Sequence, residues 1–407
     1  FKQKTAYEIR LSLVGSEMCI RDRYYDIALY LHREGIPFLD NAKQFEHTRL
    51  RLSQRITPRN YQQEALDHWI QAGKRGVVTL PTGAGKTMLA MLCITKTSRP
   101  TLVHVPTIDL MQQWHGLLEQ FFGVRVGRVG GGYKEWEQLT VSTYDSALLQ
   151  VEYYGNQYGL LIFDECHHLP GDQFQYAALA SIAPFRLGLT ATPERSDGKE
   201  TLLYEVCGPL VYQVHIDELE GRTLAPYRVQ TIEIELTTAE LEEYQKLRNI
   251  FLNFIRRERI RFDEPNGWQN FLFKSSRSID GREAFQAYLA QKKLSQASGT
   301  KVQKIWQLLT QHIVDRVILF TQDNEMAYKI GREFLLPVLT HHTKSAERNL
   351  LLKKFRAGIY PTLVTSKVLN EGVDVPEANV AIVVSGSGSA REHVQSCLLY
   401  TSPSPRA

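Results

Sequence analysis

The sequence predicts an α/β protein of two lobes with parallel sheets and a helical insertion between them, and three observations lead there. Short apolar runs ending in glycine or small polar residues alternate with amphipathic stretches, the pattern of strands buried on both faces and joined by crossover helices. That pattern occurs twice, over residues 56–215 and 301–395, with a linker and a charged, helix-period stretch at 216–300 between them. A chain of 407 residues is also too long for one ordinary core.

Composition narrows the function classes. The formal net charge is +4, and most of it sits in residues 1–23 and 396–407, leaving about +1 for residues 24–395. A polyanionic partner must therefore be held by local patches. Five cysteines without a C-x-x-C pair argue against zinc and against a disulfide framework, and so for a reducing compartment. No apolar run reaches membrane-spanning length, and residues 1–23 lack the charged-then-apolar order of a signal peptide. The expectation is a cytoplasmic protein with no membrane partner. Residues 1–23 and 396–407 resemble translated sequencing-adapter read-through and are expected to be non-native. Residues 24–55 carry no motif and read as the remnant of a larger N-terminal region.

The strongest chemical signal is LPTGAGKT, Leu80 to Thr87, between the apolar run GVVTL and the helical MLAMLCIT. A strand, a glycine turn and a helix in that order make a phosphate cradle. Backbone N–H groups converge at a helix N-terminus, and Gly83 and Gly85 let a polyphosphate approach closely. Lys86 would reach the β- and γ-phosphates of ATP, and the Thr87 hydroxyl would ligate Mg2+. The strict G-x-x-x-x-G-K-T pattern has glycine where Leu80 stands. Upstream, RNYQQEALDHWI places Tyr61, Ala65, Leu66 and Trp69 at helical spacing. There Gln62 could read an adenine edge and Arg59 could lie near the base, against the alternative of a polar helix face.

TLVHVP reads as a buried strand ending at Pro106 and Thr107, followed by the helix DLMQQWHGLLEQFF. Strand ends of this kind lie at the ligand face of an α/β sheet, which makes Pro106 to Leu110 a candidate contact to a nucleic-acid backbone. GRVGGGYKEW reads as a turn with Lys134 exposed, and LTVSTYDSALL as a strand passing into a helix at Ser142 and Thr143. LLIFDECHH delivers Asp164 and Glu165 from the end of a buried strand, Asp164 to hold Mg2+ and Glu165 to orient an attacking water. A metal site made of Glu165, Cys166, His167 and His168 is the rival reading, but successive residues at a strand end alternate faces. His167 is expected instead to couple the nucleotide site to FRLGLTATPERSDG, whose Thr190 to Thr192 close another strand.

With these motifs in this order, from about Arg59 to Gln395, the chain resembles a superfamily 2 helicase of the DExH type, most closely the XPB family. The resemblance implies two RecA-like P-loop NTPase lobes with ATP between them, an inserted helical thumb, and Lys86, Thr87, Asp164, Glu165, His167 and Thr190 to Thr192 at the nucleotide. Gly372 and Asp374 of the second lobe would face the first. Candidate nucleic-acid contacts are Pro106, Thr107, Thr143, Arg256 and Arg257 of the thumb, Thr365, and Arg195. In the family an R-E-D element follows the Thr-Ala-Thr segment; here it reads Arg195, Ser196, Asp197. The family's arginines after the final glutamine are absent after Gln395, where Ser396 and Cys397 follow, and a missing arginine finger lowers turnover by roughly 10³ to 10⁵. The chain as written is thus expected to bind ATP and hydrolyse it weakly.

The resemblance further implies DNA as partner, at a junction of single and double strands, 3′ to 5′ polarity, a role in DNA repair and a repair nuclease partner. A duplex translocase that does not separate strands and an ATP-gated nucleic-acid-binding scaffold share the same motifs.

Overall fold

The computed structural model describes residues 7–9, 24–55, 57–81, 83–169, 178–191, 200–215, 218, 228–264, 266–296, 298–366 and 378–384. The chain divides into two compact units, residues 1–226 with 371–374 and 401–407, and residues 227–370 with 375–400.

The first unit begins with β1 (Tyr7–Ile9), α1 (Tyr24–Arg33) and β2 (Phe38–Asp40), the two strands pairing in parallel. The motif-free segment that follows is fastened to the rest of the unit. Backbone N–H groups of Gln44, Thr48 and Ser53 donate to the carbonyls of Asn156, Ser98 and Phe121. Tyr24, Ala42 and Phe45 bury against Ile182. These partners are distant in sequence, so no local pattern announces them.

The body of the unit is one sheet of eight strands: β3 (Arg75–Thr79), β4 (Thr101–Val105), β5 (Gly127–Gly130), β6 (Tyr133–Lys134), β7 (Leu139–Thr143), β8 (Leu160–Asp164), β9 (Phe185–Thr190) and β10 (Leu210–Gln213). They lie in the order β10-β3-β9-β8-β4-β7-β5-β6, and every pairing is parallel except that of β5 with β6. The helices are α2 (Asn60–Gln71), α3 (Lys86–Thr97), α4 (Ile108–Phe122), α5 (Tyr144–Tyr154) and α6 (Glu200–Cys207). β4, β7 and β8 are buried along their whole length, as near-continuous apolar runs require. The stretch expected as a turn with Lys134 exposed is a tight hairpin from β5 to β6. Gly130, Gly131 and Gly132 all take positive φ (139°, 58° and 94°), which three consecutive residues with a Cβ would not adopt together.

The described part of the second unit opens with residues 228–237, and the alternating run YRVQTIEIEL, Tyr227 to Leu236, predicts a strand there. The segment pairs with no strand among the described residues. Alternation specifies a half-buried face but cannot supply the neighbouring backbone that a strand needs. Three helices follow, α7 (Thr238–Arg257), α8 (Gly267–Ser276) and α9 (Ile279–Gln296). Thr237 and Glu240 form a reciprocal capping box at the start of α7. Phe254, Phe271 and Ala284 form the core of this trio, with Phe251 and Phe285 packed against them.

The rest is a second α/β layer: α10 (Gly299–Gln311), β11 (Val317–Phe320), α11 (Asn324–Glu333), β12 (Val338–Leu339), α12 (Ser345–Arg356), β13 (Thr362–Thr365) and β14 (Val380–Val383). Among the described residues its four strands are all parallel, in the order β12-β13-β11-β14.

Candidate active site

The order of strands in the first sheet determines which motifs meet. β3, β9 and β8 are neighbours, so the phosphate cradle, Thr190 and Asp164 emerge side by side at the carboxyl edge. β4 and β7 come next, with Val105 opposite Thr143, and carry the candidate backbone-contact residues.

The cradle has the expected construction. β3 ends at Thr79, Gly83 and Gly85 take φ of 76° and 81°, and α3 begins at Lys86 with Gly85 as its N-cap. A Cβ on Gly85 would collide with the Gln62 amide. α2 braces the turn. The Tyr61 hydroxyl donates to the Ala84 carbonyl at 2.8 Å, and the Gln62 amide nitrogen donates to the carbonyls of Ala84 and Gly85 at 3.0 and 3.3 Å. The Gln62 amide oxygen accepts from the Arg59 backbone, and the Arg59 guanidinium donates to the Tyr61 hydroxyl. Gln62, which sequence reasoning directs at an adenine edge, is engaged here by the cradle's own backbone.

Lys86 and Glu165 form an ion pair at 2.8 Å, their side chains only 10% and 15% exposed. Burial pulls the Lys86 ammonium down, but the Glu165 and Asp164 carboxylates outweigh it and hold it above its ordinary value. Burial likewise works against the charge on Glu165, and Lys86 and His167 overcome it to keep the carboxyl below the usual range. Asp164 behaves oppositely. Burial and the neighbouring Glu165 raise it to about 6 despite Lys86 and the N–H donors around it. Those donors are the Trp114 indole N–H at 2.7 Å and the Glu165 backbone N–H at 3.1 Å, while the Tyr144 hydroxyl donates to the Asp164 carbonyl.

The chain does not continue past Asp164 as a strand. Glu165 adopts a left-handed φ of 47°, and Cys166–His168 form a 3-10 turn. The turn replaces the alternation of faces assumed from the sequence. It brings Glu165 back to Lys86 and sets His167 Nδ1 3.1 Å from the Thr190 hydroxyl and 3.5 Å from Glu165 Oε2. Lys86, Asp164, Glu165, His167 and Thr190 are thus brought together, with Thr87 on the first turn of α3.

Pro106 and Thr107 follow β4, and Thr107 caps α4 by accepting from the Leu110 N–H. Thr143 caps α5 in the same way through Ser146. In the second unit, Thr365 ends β13 fully buried, its hydroxyl donating to the Ser366 carbonyl. Arg257 pairs with Asp280 at 2.7 Å, and Arg256 donates to Asn253. Arg195, Thr192, Gly372, Asp374 and the segment around Gln395 lie outside the described residues. Trp114, Tyr144 and Tyr61 were not singled out as site residues by sequence reasoning. They sit on apolar helical stripes, and their polar atoms find the site only through tertiary contact.

The family model described as "Type III restriction enzyme, res subunit" matches residues 55–195, and "Helicase conserved C-terminal domain" matches residues 300–397. The helicase domain of Hef from Pyrococcus furiosus has a similar fold, with a TM-score of 0.53 at 18% identity over 85% of this chain and 93% of that one. The DNA 3'-5' helicase XPB of Mycobacterium tuberculosis is 29% identical over 83% of this chain and 56% of the relative, so the chain spans about half that protein's length. The DNA 3'-5' translocase XPB2 of Sulfurisphaera tokodaii is 37% identical over 373 residues, 92% of this chain and 84% of the relative. With that extent of similarity, and with a phosphate cradle facing a D-E-C-H turn, the chain belongs to the XPB family of ATP-hydrolysing DNA helicases and translocases.

Proposed function

We propose that this chain moves along DNA in the 3′ to 5′ direction, and that ATP turnover at the cradle drives the motion. The Lys86–Glu165 pair carries this reading. An ammonium at the mouth of a phosphate cradle, held by the carboxylate that would orient water, is a resting arrangement from which each group can be released to its task. When triphosphate enters, Lys86 leaves Glu165 for the β- and γ-phosphates, and the freed carboxylate orients the attacking water. The buried carboxylate of Asp164, with N–H donors on both oxygens, and the hydroxyl of Thr87 suit Mg2+, which would neutralise charge on the phosphates. His167 then passes the state of the site to Thr190 through their hydrogen bond. Thr107 and Thr143, at adjacent strand ends and helix N-termini, suit DNA phosphates.

A further observation favours translocation as the primary activity, since the relative with 37% identity is named a translocase. Work on DNA repair lesions, at junctions and beside a nuclease, belongs to the same reading. The test is ATP hydrolysis with and without DNA, run beside triplex displacement and strand displacement. DNA-stimulated hydrolysis with triplex displacement supports the reading; hydrolysis indifferent to DNA overturns it.

A further inference from the structure

Beyond β7 the sheet edge changes character. The β5–β6 hairpin and α5 enclose an open cavity of about 720 Å3, lined by the three hairpin glycines and by Tyr133, Lys134, Trp136, Gln150 and Tyr153 among others. Among the described residues, none that lines it is acidic. Its aromatic surface is unusually available, with Tyr153 73% exposed and neighbouring Leu149 80% exposed. Trp136 is held in place by stacking on Tyr154 at 5.4 Å, and the Arg128 guanidinium lies 4.0 Å from the Tyr133 ring centroid. Two polar groups are left over. Among the described residues, neither the Lys134 ammonium nor the half-buried Gln150 amide has a hydrogen-bond or ion-pair partner.

The hairpin also touches both helix starts assigned above to DNA phosphates. A Cβ on Gly131 would lie 3.2 Å from Ile108, the residue after Thr107, and one on Gly130 would lie 2.9 Å from the Thr143 hydroxyl. Ser146 joins the two features, since it bonds to Thr143 and also lines the cavity. A strand whose phosphates lie along Thr107 and Thr143 would therefore run past the mouth of this cavity.

We propose that the cavity is a nucleobase site, in which an unpaired base of the bound strand stacks on Tyr153, since the Arg128 guanidinium already lies over the Tyr133 ring. Its edge meets the Gln150 amide, which offers both a donor and an acceptor, and its flanking phosphate meets Lys134. Aromatic faces beside a cation, with no carboxylate among the described lining residues, fit a nucleic acid better than a protein helix, and stacking tolerates every base. The proposal rests on the DNA reading above.

The test uses the full chain and two single-stranded oligonucleotides of roughly a dozen nucleotides, a length typical of such sites. One carries 2-aminopurine among its bases; the other has the same backbone with abasic positions. Wild type is expected to quench the 2-aminopurine and to bind the base-bearing strand roughly tenfold more tightly than the abasic one. Tyr153→Ala should remove that preference while leaving abasic affinity, the salt dependence and DNA-free ATPase as they were, and Tyr153→Phe should restore it. Equal loss on both strands would mark a phosphate or folding effect and overturn the proposal. Unchanged preference for the base-bearing strand in Tyr153→Ala would also overturn it. If wild type binds neither strand, the DNA reading itself has failed, an outcome distinct from the other two.

Discussion

Along the carboxyl edge of the eight-stranded sheet, the half formed by β3, β9 and β8 and the half formed by β4, β7 and the β5–β6 hairpin are finished differently. In the first half nearly every polar group has a partner inside the protein. Lys86 holds Glu165, Trp114 holds Asp164, His167 holds Thr190, and Tyr61 and Gln62 hold the cradle. In the second half the helix starts are capped, but among the described residues the outer rim leaves the side chains of Lys134, Gln150 and Tyr153 without hydrogen-bond or ion-pair partners. The difference fits two kinds of ligand. A reaction site must be preorganised before its substrate arrives, because reorganisation would raise the barrier. A surface that tracks a repeating polymer needs positive charge and flat faces but little internal order.

The comparison can be broken most forcefully at Lys86. Lys86→Ala is expected to lower DNA-stimulated ATP turnover by at least about 100-fold, as loss of a preorganised charge contact does, while oligonucleotide affinity without nucleotide stays within a factor of a few. Phosphate-release kinetics and fluorescence anisotropy on the same preparation would check it. Trp114→Phe keeps an aromatic ring but removes the N–H that meets Asp164, together with part of a fully buried side chain. Supporting contacts of this kind change activity by roughly 10- to 100-fold, so turnover should fall by that amount, and the cavity left by the smaller ring should also lower the melting transition.

On the other half, Gly130→Ala would force a Cβ toward the Thr143 hydroxyl at a φ of 139°. Strain of that sort costs about 1 to 3 kcal/mol. Denaturant titration should register it, and oligonucleotide affinity should drop while ATP affinity is kept.

The smallest effect concerns His104, on β4, where the second half borders the first. It is 1% exposed, neither ring nitrogen has a partner among the described residues, and it stacks on Phe163 at 5.0 Å. Burial lowers its pKa from 6.5 to about 3. The unfolded chain therefore takes up a proton between those values that the folded chain refuses. This contribution to stability is complete above pH 6.5 and falls as pH drops toward 3, by at most about 1.4 kcal/mol per pH unit. His104→Phe should flatten that slope, which thermal melts from pH 7.5 to 5 would measure.

Much of the site was legible because its signals are local. A lysine after two glycines between a strand and a helix, or two carboxylates after four apolar residues, can be recognised within ten residues of chain. The hairpin at 127–134 was read as a turn because its strands are too short for alternation to register. The strand expected at 227–236 failed for the opposite reason, since its alternation is clear but no described strand lies beside the part of it that is described.

The sequence by itself determined most element types, the two α/β layers separated in sequence by a helical stretch, and the chemical identity of the groups at the ends of β3, β8 and β9. Only the tertiary structure decided who meets whom. Strand order placed Asp164 beside the cradle, and the left-handed Glu165 turned its carboxylate onto Lys86. Trp114, fifty positions from Asp164, became that carboxylate's donor. The reason is physical. Propensity and periodicity act over one or two turns of chain, whereas a hydrogen bond between distant segments exists only after the core has packed and brought them within 3 Å.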